Sequence, residues 1–298
     1  MGYPECILLL NDALRLHKQK IMKQLLLITA TFIAFTAFAQ SVKMPQPSPS
    51  QTIKQNFGLG YIELSYSRPS LKDRVAFKEY SELAPTDVVW RTGANAATTI
   101  TFSDDVTINN VLVKAGKYGL LSIPTKKNFV IIITRDTTVN QPPMYNGDHD
   151  VVRYNAPISK GERVELFTIQ FANITFETCE LQLNWGSTQV SLPISTNIKD
   201  RVKADVEKSE NGDKPSYNAI ATYYYEIAKN YPSALEYITK AVYAGKPSFS
   251  SYLLKAKIEK ELGDKASARA SANKCIELAR TANNDDAVRA AKALIGKL

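Results

Sequence analysis

Between about Gln51 and Ile198, apolar and polar residues alternate in short runs that are separated by turn residues. This period of two is typical of strands that bury one face. The runs are 62–66, 98–102, 106–108, 111–113, 118–123, 129–134, 164–171, 174–185 and 190–194. With about eight to ten short strands and no convincing helix, the pattern predicts an antiparallel β-sandwich or barrel-like domain over 51–198.

Two details of this pattern make local predictions. Asn109-Asn110 separates two short runs, and asparagine tolerates positive φ, so the pair predicts a tight hairpin turn. In the last long run, four residues share one parity and therefore one face of a strand. They are Cys179, Leu181, Leu183 and Trp185.

Two stretches interrupt the strands, 68–95 and 136–161. Both are longer than an ordinary connection, and loops of this length are often functional or disordered. We expect one short helical turn within the first stretch, near Phe77 to Leu83.

From about Asp213 the periodicity changes to that of a helix, with Tyr217, Ala221, Tyr224 and Ala228 on one face. Start and stop signals divide this region into five predicted helices. The starts are Pro215, Pro232-Ser233 and Pro247-Ser248, the stops are Gly245 and Gly263, and the N-cap candidates are Asp264 and Asp285. Residues 199–208 are a candidate connecting helix within a linker over 199–214.

The helical segments repeat. Residues 233–242 align with 267–276 at an offset of 34, which is the tetratricopeptide period, and the small residues Ala234 and Ala268 occupy equivalent positions. We therefore predict a tetratricopeptide-like domain over 215–298, in a fold of segregated α and β parts. About three such units are normally needed for stability, and the sequence contains two plus a final capping helix. The helices are therefore expected to pack against the β domain.

The N-terminal region predicts export. Met22-Lys23-Gln24 opens a basic start, residues 25–39 are apolar, and Ala37-Phe38-Ala39 is a cleavage pattern. Residues 1–39 are thus an upstream extension plus a signal peptide, and 40–50 form a Pro/Ser linker. A membrane anchor is the weaker alternative, because the apolar stretch is shorter than the roughly 20 residues that span a bilayer.

Charge and cysteine content narrow the function classes. The formal net charge of the 298 residues is +8, but basic residues are dispersed among acidic ones, so no nucleic-acid partner is expected. After cleavage two cysteines remain, Cys179 and Cys275. Buried free thiols and a disulfide between the two domains both stay open.

His149 is the candidate for acid–base chemistry. It stands between Asp148 and Asp150, where an imidazole can act as a general base. The plainer interpretation is a solvated loop histidine. No second histidine or cysteine stands at metal-ligand spacing, so neither a metal nor a cofactor is expected.

Arg68 and Arg91 are candidate ligand-binding residues, together with Trp90 and Asn95. Guanidinium groups suit carboxylate or phosphate, while the indole and the amide would add an apolar wall and hydrogen bonds. In the structural alternative, the arginines tie down the long loop through backbone carbonyls.

Tyr223, Tyr224 and Tyr225 are candidates for partner binding in the helical domain. Amphipathic aromatic side chains on a helical repeat suit a protein-binding face. Packing between the repeats is the alternative explanation.

Three strings of the β domain resemble a known family. They are Tyr66-Ser-Arg-Pro-Ser70, Val89-Trp-Arg-Thr-Gly-Ala-Asn-Ala-Ala-Thr-Thr-Ile-Thr-Phe102, and Leu112 through Tyr118 to Pro124. Over about 48–194 the chain resembles the bacterial exported family 2911 of domains of unknown function. The resemblance implies export and a β-rich domain, sometimes followed by helical repeats, and it implies no catalytic residue.

The sequence therefore favours a non-catalytic binding or assembly protein of the periplasm or cell envelope. The β domain would hold either a ligand, such as a small anion or a glycan, or a neighbouring protein near Arg68 and Arg91. The helical repeats would dock a protein partner. No transmembrane helix is expected in the mature chain. The alternative is an envelope hydrolase that acts on glycan or peptide through His149 or a pair of carboxylates.

Overall fold

The computed structural model describes residues 15–24, 44–245 and 248–298. Residues 15–24 are helical and belong to one compact unit, Met1–Gln46, whereas Pro47–Leu298 form a second unit. The apolar part of the predicted signal peptide, 25–39, lies outside the described residues, so export stays a prediction. No described helix is both long and apolar enough to cross a membrane.

Ten antiparallel strands occupy residues 50–195 of the described chain. In chain order they are β1 (Ser50–Phe57), β2 (Gly60–Ser67), β3 (Thr99–Phe102), β4 (Val106–Ile108), β5 (Val111–Val113), β6 (Gly116–Pro124), β7 (Asn128–Thr134), β8 (Asp150–Pro157), β9 (Ser159–Ala172) and β10 (Thr178–Ser195). One sheet has the order β1-β2-β3-β6-β7-β8 and the other β5-β4-β10-β9. The predicted β domain is confirmed, while the narrower labels of sandwich and barrel stay predictions.

Both sheets contribute to one hydrophobic core, because the alternating side chains of each turn one face inward. Ile62 and Leu64 of β2 are buried in it, together with Phe167 of β9. The predicted face of β10 is confirmed, since its four residues of one parity are all buried. They are Cys179, Leu181, Leu183 and Trp185.

The Asn109-Asn110 turn is confirmed. Ile108 pairs with Val111 across it, and φ is 51° at Asn109 and 61° at Asn110. These left-handed values match the two-residue turns that fit the twist of a hairpin.

Two strand predictions need correction. The excursion 136–161 is not loop throughout, because it contains β8, which pairs with β7. The runs 174–185 and 190–194 belong to one strand, β10, which is interrupted by a bulge at Gly186. There φ is 58°, a left-handed value that glycine adopts without strain.

The helical turn expected near Phe77 to Leu83 is wrong. This segment makes turns and an isolated bridge between Lys78 and Pro85. The ring of Phe77 packs edge-on against Trp90 and Trp185, with centroids 5.7 Å apart in each case. Tertiary packing of Phe77 thus overrides the local helical tendency.

Six α-helices and one π-helical segment follow the β domain in the described chain. They are α1 (Lys199–Glu210), α2 (Tyr217–Thr222), the π segment (Tyr223–Ile227), α3 (Tyr231–Ala244), α4 (Phe249–Glu261), α5 (Lys265–Thr281) and α6 (Asp285–Ile295). The helical region is confirmed, including the connecting helix α1. The tetratricopeptide label stays a prediction, although α3 and α5 begin 34 residues apart, at Tyr231 and Lys265.

One of the two N-cap candidates is confirmed. The side chain of Asp264 accepts a hydrogen bond from the Ser267 N–H at the start of α5. Asp285 is instead the first residue of α6, and Asn284 caps that helix. The predicted cap was therefore displaced by one residue. A carboxylate in the first turn is still favourable, because it lies near the positive end of the helix dipole.

The repeat positions Ala234 and Ala268 are both fully buried, as close helix packing requires. Cys179 and Cys275 are buried free thiols, which decides between the two alternatives that the sequence left open.

Candidate functional site

Arg68 acts as a tie between the two sheets. It follows β2 directly, and its Nε donates to the Phe167 carbonyl of β9 at 3.0 Å. One terminal nitrogen donates to Thr168 Oγ1 at 2.7 Å. These contacts are those of the structural alternative, in which the arginine holds backbone of a neighbouring element, and a ligand-binding role for Arg68 stays a prediction.

Trp90 lies in the core. Its indole stacks on Trp185, with centroids 5.7 Å apart and planes at 10°, and packs against Phe167 at 4.9 Å. The residue is 6% exposed, so little of its ring is available to contact a ligand at the surface.

Arg91 and Asn95 close a short loop on itself. Arg91 Nη1 donates to the Asn95 carbonyl at 2.9 Å, and Asn95 Nδ2 donates to the Ser48 carbonyl at 3.0 Å. Gly93 is required here, because an added Cβ would lie 2.9 Å from Thr98 Oγ1. The loop therefore holds the segment that leads into β1 at Ser48, and its predicted ligand stays untested.

His149 lies at the end of a 3₁₀ turn, Gly147–His149, just before β8. Its side chain is 52% exposed, and Nδ1 is 3.9 Å from Asp136 Oδ2. Within the described residues, His149 shares no hydrogen-bond partner with Arg68 or Arg91. The structure thus brings no hydrogen-bonded catalytic set together around this histidine, and its predicted role stays untested.

A polar network that the sequence pattern did not predict lies beside His149. Tyr145 donates to Asp150 Oδ2 at 2.6 Å, and Arg153 Nε donates to the same oxygen at 2.7 Å. The side chain of Asp150 is 9% exposed. Burial, and then the hydrogen bond to the Asp150 carboxylate, raise the pKa of Tyr145 to about 12.

This network secures the segment that covers the outer face of β6 and β7. Leu121, Ile132 and Val139 form a second hydrophobic cluster there, against which Tyr145 packs. The sequence did not reveal the network, because its members look like ordinary polar residues of a loop. The signal that was present is an aromatic residue, Tyr145, close to the charged residues Asp148, Asp150 and Arg153.

A groove of about 550 Å³ opens where the β domain meets the helices. We call it the junction groove. Its apolar walls come from two hairpin tips of the β domain, from α1, from α2 and from the π segment. They include Leu59, Phe176, Val202, Val206, Ile220 and Ile227.

Both hairpin tips present apolar side chains to solvent. Leu59 is 48% exposed at the β1–β2 turn, and Phe176 is 61% exposed at the β9–β10 turn. Exposed apolar side chains gathered at a concave surface mark interaction sites, whereas isolated ones are ordinary. Leu59 and Phe176 share no pattern in the sequence, because the two turns meet only in the folded protein.

Ion pairs and hydrogen bonds hold the β9–β10 tip against α1. Glu177 accepts a hydrogen bond from the Ile198 N–H at 3.4 Å and pairs with Lys199 Nζ at 3.2 Å. Arg201 pairs with Asp104 at 3.2 Å. These contacts hold the walls of the junction groove together within the chain itself.

Asp205 and Glu226 are the only charged residues among those that line the junction groove in the described chain. The nearest cation to Glu226 is Lys229, with Nζ 3.9 Å from Oε2. The described lining of the groove thus carries two carboxylates and no basic side chain.

The three candidate tyrosines have different environments. Tyr223 lines the junction groove. Tyr224 donates to Glu210 at 2.9 Å and stacks on Tyr237, and Tyr225 packs near Tyr231. Only the first of the three lies at this surface, while the other two make the packing contacts that the sequence left as the alternative.

Two antiparallel sheets in 50–195, followed by a helical region, define a protein with segregated β and α parts. Residues 48–194, just under half of the chain, match the model of the family described as "Protein of unknown function (DUF2911)". This match confirms the resemblance drawn from the sequence. Neither the curated proteins nor the solved structures gave a match to this chain.

Proposed function

We propose that this chain is an exported, non-catalytic binding protein of the cell envelope. Its docking site is the junction groove. The occupant is a segment of a partner protein with apolar side chains flanked by lysine or arginine. Export is supported by the signal-peptide pattern over 22–39 and by the family resemblance.

The observation that carries this proposal is the combination of apolar walls and acidic rim in one groove. A volume of about 550 Å³ lies within the range of about 300–1,000 Å³ that is usual for binding pockets. Apolar walls bind apolar side chains, while Asp205 and Glu226 favour basic flanks.

The π segment gives further support. A π-helical turn is rare and occurs frequently at functional sites. Three of its five residues line the junction groove, namely Tyr223, Glu226 and Ile227. The tetratricopeptide-like helices would then extend the docking face, as the repeat pattern of the sequence suggests.

The test uses the full chain and a fluorescein-labelled amphipathic peptide, with leucines at helical spacing and lysines elsewhere. We expect binding by fluorescence anisotropy with a Kd of about 10 µM or tighter. Phe176→Asp should weaken it about thirtyfold, which is the effect of an interface residue worth about 2 kcal/mol. Phe176 is exposed, so this variant should fold.

Tyr80→Asp is the matched control, because Tyr80 is 88% exposed and does not line the junction groove. Equal binding by Phe176→Asp and by the control would overturn the proposal. A change in oligomeric state alone, seen in Phe176→Asp by analytical ultracentrifugation, would show that a second copy fills the groove and would also overturn it.

A further inference from the structure

A second concave surface lies on the β domain, and none of the candidate ligand-binding residues Arg68, Trp90, Arg91, Asn95 and His149 is among the residues that line it. It is a cleft of about 370 Å³, which we call the asparagine cleft. The side chains that give the cleft its chemistry include Asn109, Asn110, Tyr154, Asn173 and Glu180.

Turn geometry places the asparagines at this cleft. Asn109 and Asn110 form the β4–β5 turn, and Asn173 begins the β9–β10 turn. All three have left-handed φ values, between 50° and 61°, which asparagine tolerates better than most residues. Asn109 Nδ2 donates to the Arg153 carbonyl of β8 at 2.9 Å, which fixes the turn of one sheet against the other.

Most side chains that line the cleft are uncharged and can both donate and accept hydrogen bonds. Amides and hydroxyls both donate and accept, and Thr107, Thr178 and Ser195 add three hydroxyls to the asparagines. Tyr154 supplies an aromatic ring and a phenol. Sugar hydroxyls need partners of this kind, because each of them also donates and accepts.

Within the part of the chain that the structure describes, Glu180 is the only charged residue that lines the asparagine cleft. Hydrogen bonds from Asn173 and then Gln182 lower the pKa of its carboxyl, so the group is an ionised acceptor at neutral pH. A carboxylate accepts from hydroxyls but repels anions, so the cleft disfavours an anionic ligand.

Cys179 also lines the asparagine cleft, but it is buried. Burial raises the pKa of its thiol to about 12, so it stays protonated at neutral pH and is not an activated nucleophile. The lining thus suits binding without turnover.

We propose that the asparagine cleft binds a neutral, hydroxyl-rich oligosaccharide. This site is separate from the junction groove in residues and in chemistry, so neither proposal depends on the other. The cleft volume of about 370 Å³ is again within the usual range for ligand sites, which is about 300–1,000 Å³.

The test is isothermal titration of the full chain with three neutral probes, maltohexaose, cellohexaose and chitohexaose. We expect at least one to bind with a Kd of about 1 mM or tighter. Asn110→Gly removes the amide while glycine keeps the left-handed turn, so it should weaken binding by about five- to tenfold. Glu180→Gln should weaken it similarly.

Asn283→Gly is the matched control, because Asn283 also has a left-handed φ, 52°, but lies after α5. It should bind like the wild type. No binding of any probe at about 10 mM, or equal affinities in Asn110→Gly and the control, would overturn the proposal. Tighter binding of a neutral serine- and asparagine-rich peptide, lost in Asn110→Gly, would assign the cleft to peptide and also overturn it.

Discussion

Tyr66 and Arg68 join the two sheets at single residues. The Tyr66 hydroxyl donates to the Ile169 carbonyl at 3.2 Å and accepts from the Ile169 N–H at 2.9 Å. Arg68 binds the carbonyl of Phe167 two residues earlier on β9. This part of the family-like string therefore has a structural explanation, because it fastens the end of β2 to the second sheet.

We predict that Tyr66→Phe lowers the free energy of unfolding by about 1–3 kcal/mol, because it leaves buried backbone groups of Ile169 unpaired. Urea denaturation monitored by circular dichroism measures the change. The matched control is Tyr61→Phe on the same strand, which should change stability by less than about 0.5 kcal/mol. Equal stability of the two variants would show that the hydrogen bonds of the Tyr66 hydroxyl do not stabilise the contact between the two sheets.

Tyr145 gives a prediction for alkaline pH. Its pKa is raised from 10.0 to about 12 in the folded protein, so the folded state holds the proton more tightly than the unfolded chain. This contribution to stability is complete below pH 10 and is lost as the pH rises through about 12. The free energy of unfolding of Tyr145→Phe should therefore fall less steeply over this window than that of the wild type.

The measurement is urea denaturation at several pH values from neutral to alkaline, with Tyr80→Phe as the exposed control. Identical pH slopes for Tyr145→Phe and the control would contradict the account of the Tyr145–Asp150–Arg153 network.

At the scale of elements, α4 contains a buried ion pair. Lys255 Nζ contacts Glu259 Oε1 one helical turn away, and Lys255 also donates to Ser271 Oγ of α5 at 3.4 Å. The Glu259 side chain is 4% exposed, and its Oε2 is buried without a hydrogen-bond partner within the described chain. Removing one partner of such a pair leaves an uncompensated buried charge.

Lys255→Met is therefore expected to lower the free energy of unfolding by about 3–5 kcal/mol. The double variant Lys255→Met/Glu259→Leu should recover most of this loss, because two apolar groups of similar size can replace a buried ion pair. Thermal unfolding followed by calorimetry compares the three proteins. A double variant no more stable than Lys255→Met would show that the charge itself is not the cause.

The strands show which elements the sequence could predict. Runs such as β2 and the first part of β10 alternate strongly, because one face is buried in the core and the other is not. β8 was missed because only Val152 and Ala156 are buried in its eight residues, too few for a clear period. The bulge at Gly186 is indistinguishable from a turn in the sequence, since glycine among polar residues marks both.

The sequence is less informative about the candidate sites than about the strands. The sequence made Arg68 and Trp90 candidate ligand-binding residues, but a motif does not reveal whether its side chains face a ligand or the core. Of the residues it proposed, Tyr223 lies at the junction groove. Leu59 and Phe176, over a hundred positions apart in the sequence, become neighbours only through the fold, so no local pattern can find them.

At the scale of the whole molecule, the β domain and the helices together make the junction groove. Pro47–Leu298 form one compact unit, and the two hairpin tips of the β domain complete a wall that the helices begin. The junction groove therefore depends on both parts, which α1 joins directly.

We proposed that the junction groove binds an apolar segment flanked by basic residues. Reversing the charge of the groove is the most direct test of this proposal. Anisotropy would compare the lysine-containing peptide and its glutamate-containing counterpart on the wild type and on Asp205→Lys/Glu226→Lys. Both residues line the groove, and each exposed charge contact is worth about 0.2–1 kcal/mol. We expect the wild type to prefer the lysine peptide and the double variant to prefer the glutamate peptide. The same preference in both proteins, or none in either, would contradict the proposal.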